Sequence, residues 1–546
     1  METLTAKLRQ WSERPGLQVL NRRRVVLVVV ATMVLYLAAI TPLFPFQGGD
    51  NAEYLLLARS LARGQGFTTI YTEPPEPHTK YPFLFPLMLA GVMAVFGENL
   101  VVMKVLIAVC AALTAGATLK LWEDRGDKGI ALAAAVLVAT VPYTLKYSIR
   151  VLSEIPFAAF STLALLFAER ALKQDSVKSR ALPVGILFSL AAYFTRSIGI
   201  TLFPALLGAT LLKAPLRKRL PRNLILAATI ALPFLLAAGA WSLRGYLVTR
   251  GQGDNYLKEF IVKDPEDLHS PRIGLLDLVH RIGENSPYYL NQIGINLLPI
   301  PILFHRDQTK VFGLLIVGIA AIGFLRVIRR HRGAPELFTL AYLSLLLLWG
   351  FYEVRFLIPL FPVLLYYLFK GMEGLGRWTS FIRGPSLARG LVAALTLIML
   401  SSNLIADGMF LRTIAKSRKE RAFEINPWFQ IAATNERMHR MLALALALRK
   451  VAEPEAVILA RKPSLVALAT DRKVAGPPFP LDPAGFIADM EKRHVRYILV
   501  DEYYPDVRSS FDPALQAHPE RFQLVYQLPK TRSLIYEFLP SGVPEP

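Results

Sequence analysis

The sequence predicts an α-helical polytopic membrane protein of about eleven or more transmembrane helices, with a C-terminal soluble α/β domain. Three observations carry that expectation. Hydrophobic residues make up 53% of the 546 residues and the mean hydropathy is +0.39. The apolar residues fall in runs of about fifteen to twenty-two, a membrane-crossing length, rather than at amphipathic spacing. Composition then changes sharply near Arg412.

The first apolar run, 25–44, follows Arg22, Arg23 and Arg24 and lacks a small-residue cleavage site, so it reads as a signal anchor with residues 1–24 in the cytoplasm. Further spans are expected at 100–121, 130–147, 155–170, 182–196, 198–212, 224–243, 310–326, 337–350, 356–369 and 391–411. Residues 82–97 decide the topology. If they crossed, the loop 171–181, with Lys173, Lys178 and Arg180, would face outward. If they lie in the outer interface or re-enter, the basic loops 171–181, 213–223, 326–336 and 370–390 all stay inside, as the positive-inside rule requires. The second arrangement is adopted. It makes 25–411 one transmembrane domain of a cell (inner or plasma) membrane, with outer loops 45–99 and 244–309, and puts 412–546 outside.

Within 412–546, residues 436–450 read as a helix, 456–460 and 496–501 as strands, 484–494 as a second helix and 476–483 as a loop. Alternating strands and helices predict a small α/β domain of doubly wound character.

The net charge is +21, but Lys and Arg sit mostly in short loops between apolar runs, so nucleic acid is not an expected partner. Cys110 is the single cysteine and lies in an apolar run, which excludes an intrachain disulfide. The chain carries no GxxxxGK[ST], HExxH, CxxC or GxSxG motif. Nucleotide hydrolysis, zinc proteolysis, thiol redox and serine hydrolysis therefore have no visible basis, and the chemistry must run on carboxylates and cations.

The adopted topology gathers Asp50, Glu53, His78, Lys80, Arg150, Glu154, Arg196, Arg244, Glu353 and Arg355 near one outer face. Ionisable groups at that depth cost about 3 kcal/mol each and are retained for pairing or function. In GGDNAEY, Asp50 stands at the start of an amphipathic helix expected to lie along the interface, either facing a polar site or serving as an N-cap; Glu53 and Tyr54 follow it. In HTKYPFLFP, Lys80 is placed to hold an anionic lipid headgroup or to snorkel as an anchor, and His78 is a weaker candidate. In YSIRVLSEIPF, Arg150 and Glu154 are a site pair or helix caps. Arg196 in FTRSIG and Arg355 in FYEVRFLIPLFP suit forked contacts to phosphate oxygens, unless Arg355 pairs structurally with Glu353.

Taken in order, GGDNAEYLLLARSLARGQGF, KYPFLFPLMLAGVMAVFG, YSIRVLSEIPF, FTRSIGITLFPALL, AWSLRGYLV and VRFLIPLFP resemble the GT-C glycosyltransferases over residues 20–410, nearest to the protein O-mannosyltransferases and the lipid A aminoarabinose transferase. The resemblance implies transfer of a sugar from a polyprenyl-phosphate donor to an extracytoplasmic acceptor, which is a protein, lipid or glycan. It places Asp50 at the acceptor and Lys80 at the carrier phosphate. The sequence departs from the family where Asn51 replaces the second acidic residue of the mannosyltransferases and Glu53 replaces a basic residue of the aminoarabinose enzymes. Chemically, Asp50 would serve as base, Glu154 would assist it or position the acceptor, and Lys80 with Arg196 or Arg355 would neutralise the departing phosphate, with inversion at the anomeric carbon. No cofactor is required by that charge count; a divalent ion is compatible with the carboxylates but no motif calls for one. The competing expectations are a transporter or flippase of a lipid-linked substrate, against which the absence of related halves counts, and a scaffold presenting 412–546 to partners.

Overall fold

The structure is a computed structural model that describes residues 15–174, 179–212, 216–251, 256–265, 270–298, 306–383, 385–417, 422–478, 481–502 and 505–540. The expected cytoplasmic segment 1–24 and the basic loops 171–181 and 213–223 thus lie partly outside the described residues.

Helix α1 (Pro15–Ala38) runs into strand β1 (Leu43–Phe46) and then α2 (Asp50–Ala62). A two-stranded ribbon, β2 (Thr68–Thr69) with β3 (Glu76–Pro77), precedes α3 (Leu84–Phe96). Thirteen residues at about 1.5 Å each span roughly 20 Å, short of a hydrocarbon core of about 30 Å, so α3 has the length of an interfacial or re-entrant piece. The bundle continues through α4 (Leu100–Glu123), α5 (Lys128–Ala139), α6 (Pro142–Ser148), α7 (Glu154–Gln174), α8 (Ala181–Thr195), α9 (Leu202–Leu212) and α10 (Leu216–Thr249).

Among the described residues, five helical stretches are long and apolar enough to cross a membrane: Leu100–Glu123, Glu154–Gln174, Asn223–Thr249, Val354–Gly376 and Gly390–Lys416. A sixth is the pair α5 and α6, bent by 44°. The expected continuous span 130–147 is therefore broken, because Pro142 has no N–H to return to the α5 carbonyls. Four shorter apolar helices, Leu84–Phe96, Ala181–Thr195, Ser197–Leu212 and Ala334–Leu348, complete the apolar set.

The segment 244–309, expected as an outer loop, contains α11 (Tyr256–Ile261) and α12 (Leu275–Leu297). It is tied to the bundle by the buried Arg281, whose guanidinium donates to the carbonyls of Phe260, Val262, Lys263 and Leu348. After α13 (Arg306–Arg330) and α14 (Ala334–Leu348) come α15 (Phe361–Arg383) and α16 (Pro385–Ser417). Helices α13 and α15 touch backbone to backbone: a Cβ on Gly323 would lie 1.8 Å from the Tyr367 carbonyl oxygen. Small residues at such crossings are how helices associate where lipid removes the hydrophobic drive.

The last quarter does not stand alone. Strand β5 (Phe429–Ala433) pairs with β4 (Phe423–Asn426) and also, in parallel, with β1 from the first fifty residues, in the order β1-β5-β4. The ring of Phe44 stacks on Phe429 at 5.9 Å. Beyond it lie α17 (Glu436–Val451), β6 (Val457–Leu459), α18 (Pro463–Thr470), β7 (Lys473–Ala475), α19 (Pro483–Lys492), β8 (Val495–Val500), α20 (Pro505–Ala517), β9 (Phe522–Gln527) and β10 (Leu534–Phe538). The five strands order as β7-β6-β8-β10-β9, with β6, β7 and β8 parallel and β10 antiparallel to both neighbours. The sheet is mixed, where the sequence suggested a doubly wound one.

The amphipathic character expected of the 50–62 helix is also corrected. Its residues Asn51 to Ser60 are all buried, because α3 covers one side and α18 of the last quarter covers another. Its leucines are core residues rather than a lipid-facing stripe.

Candidate active site

Gly49 is the N-cap of α2, and Asp50 is its first residue with no side-chain cap bond. The carboxylate is left free for other partners. Oδ1 accepts from the Tyr81 hydroxyl at 2.9 Å, and Oδ2 meets Arg355 Nη2 at 2.7 Å. About a third of the Asp50 side chain, 35%, stays exposed, so the group is both held and reachable.

Arg355 sits in the 3-10 turn Val354–Leu360 between α14 and α15. Its Nε lies 3.4 Å from Glu353 Oε2 and 3.5 Å from Glu154 Oε1. The pairing with Glu353 is thus real, but it is one contact of a larger network. Glu154, at the first residue of α7, is 1% exposed and binds Arg196 Nη1 at 2.7 Å through Oε1. The same Arg196 nitrogen donates to Ser153 Oγ at 3.0 Å, and Ser153 in turn shares a 2.8 Å hydrogen bond with the Tyr54 hydroxyl. Arg196 reaches this place because the chain leaves α8 in extended conformation there, before the tight turn Ser197–Thr201. The turn requires Gly199, where a Cβ would stand 2.7 Å from Tyr193 backbone atoms. Asp50, Arg355, Glu154, Arg196, Glu353, Ser153, Tyr54 and Tyr81 therefore form one connected group.

A second cluster adjoins it through α2. Glu53 Oε2 accepts from the Tyr71 hydroxyl at 2.6 Å, and Oε1 lies 3.7 Å from His78 Nδ1. The Tyr81 amide donates to His78 Nε2 at 3.0 Å, so the ring proton is on Nδ1, beside Thr69 Oγ1 at 3.1 Å. His78 is thereby a neutral hinge for the HTKYPFLFP segment and faces no metal-like group of ligands; among the described residues no cluster of three or more His, Cys, Asp or Glu gathers. Arg244 of α10 donates to the His78 carbonyl at 2.9 Å and lies over Trp241 and Phe67.

Electrostatics separate the two acids of α2. Burial pulls the Asp50 carboxyl up, but the charge and hydrogen bond of Arg355, helped by Tyr81 and Arg196, hold it below the ordinary aspartate value. Burial lifts Glu53 to about 7, against the Tyr71 hydrogen bond and with the help of Asp50. Asp50 is thus held toward its charged form and Glu53 toward its protonated one.

Lys80 forms an ion pair with the buried Glu259 of α11 and lies 6.0 Å from the Tyr256 ring. Arg150 is set apart from the network, bonded to Gln47 at 2.8 Å and lying over Tyr147. The sequence reading passed over Tyr81, Ser153, Tyr71, Tyr256 and Glu259. Tyr81 and Ser153 flank Lys80 and Glu154 inside motifs already singled out, so adjacency could have found them. Tyr256 and Glu259 sit in a segment with no periodic signal.

The family model of dolichyl-phosphate-mannose-protein mannosyltransferases matches residues 80–241. No curated protein matches by sequence. Among solved structures, ArnT from Cupriavidus metallidurans bound to undecaprenyl phosphate is similar over 95% of this chain and 99% of its own, with a TM-score of 0.56 at 12% identity. The archaeal oligosaccharyltransferase AglB from Archaeoglobus fulgidus, in complex with an inhibitory peptide and a dolichol-phosphate, is similar over 95% of this chain and 75% of its own, with a TM-score of 0.52 at 14% identity. The fold is that of the GT-C membrane glycosyltransferases, as the order of motifs in the sequence led one to expect.

Proposed function

We propose that this GT-C chain transfers a sugar from a polyprenyl-phosphate donor to an acceptor outside the cytoplasm, with Asp50 as general base. The observation that carries this reading is the Asp50–Arg355 pair, partly open above and backed by Glu154 and Arg196. The undecaprenyl-phosphate and dolichol-phosphate in the two similar structures support a phosphate-linked lipid as donor. The proposal includes the topology that places the N-terminus in the cytoplasm, the 412–546 region outside, and about eleven crossings between them.

In the resting site Arg355 neutralises Asp50. A donor phosphate arriving beside Arg355 and Arg196 competes for their guanidinium protons, for which two forked cations are well suited. Loss of Arg355 to the phosphate leaves Asp50 with Tyr81 alone and raises its basicity. The acceptor hydroxyl then attacks the anomeric carbon, its proton passes to Asp50, and the bond from that carbon to the phosphate oxygen breaks. The departing lipid phosphate keeps the electron pair, with its charge met by the arginines. Attack opposite the leaving group gives inversion. Glu154 is too enclosed to meet the acceptor; its work is to hold both guanidiniums in position. Lys80 is released from Glu259 as a further partner for the phosphate, and Glu353, half exposed, steadies Arg355 from the outer side.

The test is Asp50→Asn, assayed for sugar transfer in membranes from cells making the full chain. A base removed without change of shape should lower turnover by about 10²–10⁴-fold while expression and thermal stability persist. Turnover close to that of the parent enzyme would remove Asp50 from the role of base.

A further inference from the structure

A second set of buried polar atoms lies away from this site, at the junction of α1, α5 and α16. Asn403 and Asp407 stand one helical turn apart on α16, hence on one face, and each is 1% exposed. The Asn403 amide nitrogen donates to Thr140 Oγ1 at 3.2 Å, and that hydroxyl donates to the Val136 carbonyl. The orientation of Asn403 is thereby set, with its Oδ1 directed elsewhere. Asn403 Oδ1 and both carboxylate oxygens of Asp407 are buried and without a hydrogen-bond partner. Tyr36 of α1, itself buried, is near enough for the Asp407 charge to act on its hydroxyl. No Lys, Arg or His among the described residues pairs with Asp407.

The amide oxygen of Asn403 and the two carboxylate oxygens of Asp407 are thus three enclosed acceptors borne by one face of α16. A buried carboxylate left unpaired costs several kcal/mol, and one inside a lipid-embedded bundle is retained for a purpose. A water brings two donors but leaves the charge uncompensated. A proton on Asp407 satisfies one acceptor of the three. A monovalent cation satisfies all three and balances the single carboxylate, whereas a divalent one would leave a positive charge in low dielectric. The backbone beside Thr140 is irregular, because at the bend between α5 and α6 Pro142 has no N–H to donate to the Val138 carbonyl one turn earlier. Irregular backbone and a helix-borne carboxylate are the usual makings of a sodium site in a membrane protein.

We propose that Asp407 and Asn403 bind one monovalent cation of sodium type inside the helical bundle. This site is independent of the transfer reaction, and its role is to hold α1, the bent α5–α6 pair and α16 together.

The test uses the purified full-length protein in lipid nanodiscs at about pH 8, with sodium chloride replaced stepwise by choline chloride at constant ionic strength. The thermal midpoint should rise with sodium by a few degrees and saturate. In Asp407→Asn and in Asn403→Leu the sodium dependence should vanish, whatever the absolute midpoint. Equal sodium dependence in parent and both variants would overturn the proposal. So would a parent protein indifferent to sodium and stabilised only by acidification, which would make Asp407 a buried acid filled by a proton.

Discussion

At the scale of single residues, α2 presents two carboxyl groups three positions apart that are shifted in opposite directions. Glu53 holds its proton to about 7, above its ordinary 4.5, because it is buried, and His78 is driven from 6.5 to about 3 for the same reason. A folded-state value raised for an acid favours the fold at low pH, and that contribution fades as pH rises from about 4.5 to 7. A lowered histidine does the reverse: its contribution is complete above about 6.5 and is lost as pH falls toward 3. In the parent protein the two trends offset each other between about 4.5 and 6.5. Glu53→Gln should therefore leave the His78 trend exposed, and its thermal midpoint should fall more steeply than the parent's when the buffer is taken from pH 6.5 to 4.5. Parallel curves would show that Glu53 ionises as it does in water. The residue types needed for this were all visible in the sequence. Their pairings were not, because Arg355 comes to Asp50, and Arg196 to Glu154, from helices distant in the chain and through irregular turns that no apolar period announces.

At the scale of elements, apolar length and Gly or Pro punctuation made most helices readable, including 436–451 and 483–492 of the last quarter. Two kinds of element escaped. The first is the short strand β1, whose LFPF follows directly on an apolar span and has no alternation of its own; only its partner at 429–433 makes it a strand. The second is the helix α12, in a segment expected to be a loop, whose amphipathic pattern is drowned by the apolar average of the chain. Packing between elements was equally hidden, since a glycine in a span does not say what it touches. At Gly323 the contact is the backbone of α15, so Gly323→Leu should separate α13 from α15 and cut the yield of folded, detergent-stable protein severely. The same change at Gly91, where nothing lies within reach of a new Cβ, should be tolerated. Size-exclusion profiles of the two variants make the comparison, and equal behaviour would mean that the α13–α15 crossing is looser than described.

At the scale of the whole molecule, the charge asymmetry of the loops and the joint placement of the polar residues belong to one arrangement. Reporter fusions at Lys218 and Glu502 should fall on opposite sides of the membrane, and reporters on the same side would require an additional or a missing crossing. The composition divides the chain near Arg412, which lies within α16. Hydrogen bonding ignores that division: Ser464 donates to the Gly49 carbonyl just ahead of Asp50, Lys473 donates to the Ile70 and Thr72 carbonyls, and the Val474 amide donates to the Tyr71 carbonyl, whose side chain holds Glu53. The strand β1, made among the first fifty residues, must wait for β5 before its edge is covered. During synthesis the surroundings of Asp50 are therefore complete only once residues 429–474 have been made. A chain still emerging, or one cut short by a premature stop, carries Asp50, Glu154, Arg196 and Arg355 yet lacks the strand that pairs with β1 and the helix that covers the one bearing Asp50; on the proposed function such a chain is expected to be inactive.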